Sequence, residues 1–397
     1  MQGIRTDSGA IAVVMFIGLA AAALGNGAAA QGAPPSAPPP VTAAAIAEYH
    51  RLLDVYNAAH NAYMAASGAY WSSIGDKRKL RFAKRARGEA VSLDDYVLTQ
   101  PPVYSGPPQP VDPSAPKEER PPRVPIPVVA DFLAAAQQEY KFAPRQPRAD
   151  VDFKRAYATV AAAAGLTREQ AVRIYGFEAT GNGTYDIQAG LEFNKPGAQA
   201  ITTALGYNQL LSTNSVELMA ESGDRFLRSL EERALRLPER DRAALQNTIA
   251  VVRKMVAFAR SVPDEWGRHE ALANTPKGLA VHAMNLDIDV GPLLQTQKLL
   301  DSVIYAQRKG YGGPLTAAEL EMMNLTGDGN GFDMVTMPQE LRLKVPTSNF
   351  FQRTGYSHNP VAQRNNTVAA LIAATDAQMD REIAKPGARD LAALFPR

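Results

Sequence analysis

The chain contains no cysteine. That excludes disulfides, thiolate nucleophiles, cysteine metal sites and the lipid-modified cysteine of bacterial lipoproteins. Histidine is nearly as scarce. His50, His60, His269, His282 and His358 lie far apart, and no His-x-x-x-His or Glu-x-x-His pair is present to seed a zinc site, so neither a metal nor a cofactor is expected. An excess of one charge is missing too: 42 Lys and Arg against 40 Asp and Glu leave +2, which argues against a chain built to bind nucleic acid. The apolar run near the N-terminus, Ala10 to Leu24, falls short of the roughly 20 residues a spanning helix needs.

What is present is a chain of 397 residues, 46% hydrophobic and 21% charged, enough for a sizeable core with appendages. Arg5, the Ala10 to Leu24 run and the small residues ending at Ala30 read as a secretory signal over residues 1–30, an uncleaved anchor being the alternative. Export places the expected location in the periplasm or outside the cell. Residues 31–40 form a Pro/Ala linker. Over residues 41–95, Ile46, Tyr49, Leu52, Leu53, Tyr56, Ala59 and Tyr63 recur at helical spacing and predict a helix with a face to bury. Its end carries seven positive charges between Lys77 and Arg87, read either as a solvated helix end or as a surface drawn to anionic envelope components. Residues 96–127 are too rich in proline for a helix or a central strand and read as a linker, although Val103, Tyr104 and Ile126 suit docking along the domain. Residues 128–397 then hold mostly helical patterns. The expected fold class is therefore mainly α.

One carboxylate in that region is hard to explain by folding alone. Thr167 and Gln170 have capping-box spacing, and Ala171, Ile174 and Tyr175 make an apolar stripe that Glu178 continues. Glu178 therefore points inward, in the last turn before Gly181-Asn182-Gly183, where the helix dipole also disfavours its charge by about 0.3–1 kcal/mol. Both effects should raise its pKa, and a carboxylic acid partly protonated near neutral pH suits general-acid catalysis. The plainer alternative is a fraying helix end, with Glu178 reaching water or pairing with Arg168 or Arg173.

A Glu closing a helix, a Gly-rich turn, then Gly206-Tyr-Asn-Gln209 followed by Ser212-Thr213 and a new helix resembles the lysozyme-like lytic transglycosylases that cleave peptidoglycan. The likeness spans roughly residues 150–380 and is sharp at Glu178, Gly206 and Gln209, weaker at Asn324 in Asn324-x-x-Gly327. It departs from the family at Tyr207-Asn208, where Leu-Met is usual, at Ala179, where Ser is usual, and in the longer gap from Glu178 to Gly206. The resemblance implies a lysozyme-like helical domain acting on peptidoglycan glycan strands, with Glu178 as the single acid/base. It further implies Gly206, Tyr207 and Gln209 along the saccharide cleft and Asn324 across from the acid, with Tyr185 or Gln188 positioning an acetamido group. A hydrolytic muramidase would need a second carboxylate to activate water, and Asp186 and Glu192 are the nearest candidates. A non-catalytic wall-binding protein is the third reading. Asp328-Gly-Asn330-Gly-Phe-Asp333 spaces oxygens like the start of a calcium loop, but Gln339 stands where the closing Glu would be.

Overall fold

The structure is a computed structural model that describes residues 42–115, 124–192 and 195–396. The segments read as a secretory signal, residues 1–30, and as a linker, residues 31–40, lie outside the described residues. The fold is mainly α, and among the described residues the only β pairing is three isolated bridges, two of them joining Gln188, Leu205 and Leu210. No helix among the described residues is long and apolar enough to cross a membrane.

The first helix, α1 (Ala43–Ala86), is capped by Thr42, whose hydroxyl accepts from the Ala45 amide. Only its C-terminal half is buried against the body, through Ser67, Tyr70, Ile74 and Arg81. The expected basic end is the docking device itself. Arg81 is fully buried and pairs with fully buried Asp333 at 2.8 Å, while its guanidinium lies 4.4 Å from the Tyr96 ring centroid. Arg85 and the Tyr96 hydroxyl also bond Asp333. Arg78 donates to the carbonyls of Asn349 and Phe351, and Lys84 grips Asp95. Most of the charge between Lys77 and Arg87 is thus turned inward rather than left as a solvated helix end.

Residues 96–115 are not a free tether either. They run back along α1, with the Tyr70 hydroxyl bonded to the Thr99 carbonyl and Tyr104 set edge-on against Tyr56, His60 and Tyr63. The apolar stripe expected on α1 is thus partly covered by proline-rich chain, while Ile46, Leu52 and Val55 stay exposed.

The body follows as α2 (Val129–Tyr140), α3 (Asp150–Ala164) and α4 (Arg168–Glu178), then α5 (Ser212–Leu235) and α6 (Glu239–Ala259). Next come the short α7 (Trp266–Ala273) and α8 (Pro276–His282), the long α9 (Gly291–Arg308), and α10 (Ala317–Thr326). The chain closes with α11 (Asp328–Val335), α12 (Gln339–Arg342), α13 (Arg353–Ser357), α14 (Pro360–Arg364), α15 (Val368–Ile383) and α16 (Pro386–Leu394). The α5 helix starts at Ser212, where the Asn214 side chain accepts from the Leu211 amide. Asp328 to Asp333 is helix rather than an ion-binding loop, and no group of three or more His, Asp or Glu able to hold a metal occurs among the described residues.

Two apolar cores share α9. Phe132, Phe226, Val252 and Met284 belong to one, into which α9 sends Leu294; Phe153, Tyr175, Leu320 and Phe350 belong to the other, into which it sends Leu299 and Val303. The segment from Leu205 to Leu210 straddles the same seam, with Leu205 and Leu210 in the first core and Tyr207 in the second.

Candidate active site

The end of α4 is fixed from several sides. Thr167 and Gln170 form the expected reciprocal capping box, and the Gln170 amide also reaches the Leu315 carbonyl. After the helix, the Tyr175 hydroxyl bonds the Gly183 carbonyl, and Thr180 and Gly181 both adopt left-handed backbone. Gly181 is required there, since a Cβ would come within 2.4 Å of the Glu382 carbonyl on α15. This packing aims Glu178 inward as its spacing predicted, with 9% of its surface exposed.

Its partner is not an arginine. Arg173 pairs with Asp376, Asp380 and Glu169. The Asn324 amide, from α10, donates to Glu178 Oε1 at 2.9 Å. One helical turn before Asn324 stands Glu321, fully buried, whose Oε2 accepts from the same Asn324 nitrogen at 3.4 Å and whose Oε1 has no hydrogen-bond partner. Lys298, on α9, donates to the carbonyls of Asn208 at 2.8 Å and Gln209 at 3.4 Å. Burial pushes the Glu178 carboxyl above its ordinary value against the opposing pull of Lys298 and Asn324. Burial raises Glu321 further, and the charge of Glu178 adds to the effect. The chemical content is two buried acids bridged by one amide, with an ammonium whose charge acts on both, a set able to hold and release a proton.

Glu321 and Lys298 escaped the sequence reading, though each left a trace. Glu321 precedes Asn324 by three residues and so shares its helix face, and Lys298 follows Leu294 by four, in the middle of a core-facing stripe.

The other expected residues divide sharply. Gly206 has φ +83°, and a Cβ there would meet Gln295 Nε2 at 2.5 Å, so the glycine serves close packing on α9 as well as the turn. Tyr207 is fully buried among Phe153, Tyr157 and Tyr175, with its hydroxyl on Asp150, and cannot line a cleft. Gln188 is likewise buried, donating to the carbonyls of Pro127 and Thr202. Gln209, half-buried at φ +44°, donates its side-chain amide to the carbonyls of Ile187 and Gly206. Tyr185 stacks on Phe153 and bonds Gln146. Asp186 accepts from Thr184, and neither it nor Glu192 is among the groups acting on Glu178. The carboxyl beside Glu178 is Glu321.

Comparison with known protein families, with curated proteins and with solved structures returned no match to this chain.

Proposed function

We propose that the protein is an exported enzyme that cleaves peptidoglycan glycan strands between N-acetylmuramic acid and N-acetylglucosamine in the manner of a lytic transglycosylase. Glu178 protonates the leaving glycosidic oxygen and then accepts the proton of the C6 hydroxyl as that oxygen closes a 1,6-anhydro ring. The observation that carries this reading is the convergence of three stretches far apart in sequence. Asn324 of the Asn-x-x-Gly motif bonds Glu178 at its helix end, and Lys298, whose charge acts on Glu178, is bonded to the Gly206 to Gln209 turn. These are the stretches on which the family resemblance rests.

The same geometry weighs against hydrolysis. A water-activating carboxylate must face the cleft with room for that water, whereas Glu321 is fully buried beside the acid. Incubating the protein with purified sacculi and weighing the released fragments separates the readings. Anhydro ends support the proposal, reducing ends replace it with a muramidase, and bound protein with no released sugar replaces it with a wall-binding role. The reading also calls for export, and N-terminal sequencing of protein from an envelope fraction should begin after Ala30.

A further inference from the structure

Glu321 is the feature that a one-acid mechanism does not require. It is fully buried, its Oε1 meets no donor, and its Oε2 accepts only the long bond from Asn324. An ionised carboxylate so placed lacks the donors that make burial tolerable, whereas a neutral carboxyl costs far less. The Asn324 amide has two hydrogens and gives one to each acid. Lys298 is the charged group facing the pair from α9, held there by the Asn208 and Gln209 carbonyls. With that ammonium charged, the set is electrically neutral when the two carboxyls together carry one proton.

We propose that Glu178, Glu321 and Lys298 work as one unit holding a single proton between two acids, in which Glu321 and Lys298 are positioning residues for the proton that Glu178 delivers. The proposal rests on the reading of Glu178 as acid/base. In the reaction the Glu178 proton passes to the glycosidic oxygen, which leaves C1 with the bonding electron pair. The C6 oxygen bonds to C1, and its proton returns to Glu178. The unit therefore ends with the proton count it began with, and Glu321 never touches the sugar.

Two coupled acids lose their protons in two steps that belong to the pair, the second delayed because it would set two buried anions side by side. Between the steps Glu178 still holds the proton part of the time. Glu321→Gln leaves one acid and abolishes the delayed step, so proton loss should move to lower pH by ~1 unit or more. Lys298→Met removes the cation that favours ionisation and should move proton loss to higher pH, while Lys298→Arg, which keeps the charge, should stay near wild type. A residue that merely supports the fold would not give opposite shifts.

The test is the infrared absorption of protonated carboxyl groups in the full-length protein across pH, taken as wild type minus variant. The difference is needed because burial also raises Glu217 to about 8, Asp301 to about 7 and Asp287 to about 6. Sugar release from sacculi is followed on the same samples, with circular dichroism to confirm that each variant is folded. Midpoints moving down in Glu321→Gln and up in Lys298→Met, with the alkaline limb of activity following, support the unit. Midpoints that stay put or move together overturn it, even if sugar is released. Opposite midpoint shifts without sugar release at any pH keep the proton unit and overturn the glycan-cleaving reading.

Discussion

Replacing Glu178 by Gln keeps the length of the side chain and its bond from Asn324 but removes the proton. If the residue is the sole acid/base, release of fragments from sacculi should fall by ~10²–10⁴-fold, the range of general acid–base catalysis. Stability should hold or rise, because a buried acid at the negative end of α4 is removed. Near-full release by the folded variant would sink the assignment. Gly206→Ala should behave in the opposite way. It sets a side chain at φ +83° against Gln295, and left-handed backbone alone costs about 1–2 kcal/mol, so its melting temperature should drop. Glu178 was legible from sequence because three neighbours at helical spacing fixed its direction. Asn324 was legible only through a motif. Tyr207 was placed in the cleft by the resemblance of its turn, whereas its meeting with Phe153, Tyr157 and Tyr175 is long-range and puts it in the core.

Among the elements, α1 shows most plainly what local pattern leaves open. Its apolar stripe could be read directly, and so could the density of positive charge at its end. The partner of that charge could not, since Asp333 lies 252 positions from Arg81 along the chain. Asp333→Ala should test the docking. Arg81 would be left as an unpaired buried cation, a loss of about 3–5 kcal/mol, and protease should then reach α1 before the body. Equal stability of variant and wild type would mean that the other contacts of Arg78, Arg81 and Lys84 hold the helix without the ion pair. The proline-rich segment was legible as non-helical, and Tyr104 hinted that it docks. Its course back along α1 depends on ring contacts with Tyr56, His60 and Tyr63 that only the folded helix brings together.

For the whole molecule, the mainly α class followed from composition and periodicity, whereas the meeting of α4, α9 and α10 at one acid is long-range information that no local pattern holds. The buried acids also set how stability depends on pH. Glu178, Glu321, Glu217 and Asp301 all have folded-state values raised above their unfolded ones, so the stability present below the unfolded values is lost as pH rises through the folded ones. His282, pushed down to about 4 by burial, acts in the other direction, but only below its unfolded value of 6.5. Between pH 6.5 and pH 8 the carboxyls act unopposed by it, and the melting temperature should fall across that interval. A rise there would contradict the protonation pattern described above.

Because α9 contributes side chains to both apolar cores, neither core can be dismantled while the other keeps its full wall. In calorimetric terms the body should melt in one heat-absorption peak whose van't Hoff and calorimetric enthalpies agree, despite having two centres of apolar packing. Two resolved peaks would show that α9 can part from one core while remaining seated in the other, and the lysine at its middle would then leave the two acids before the protein as a whole unfolds.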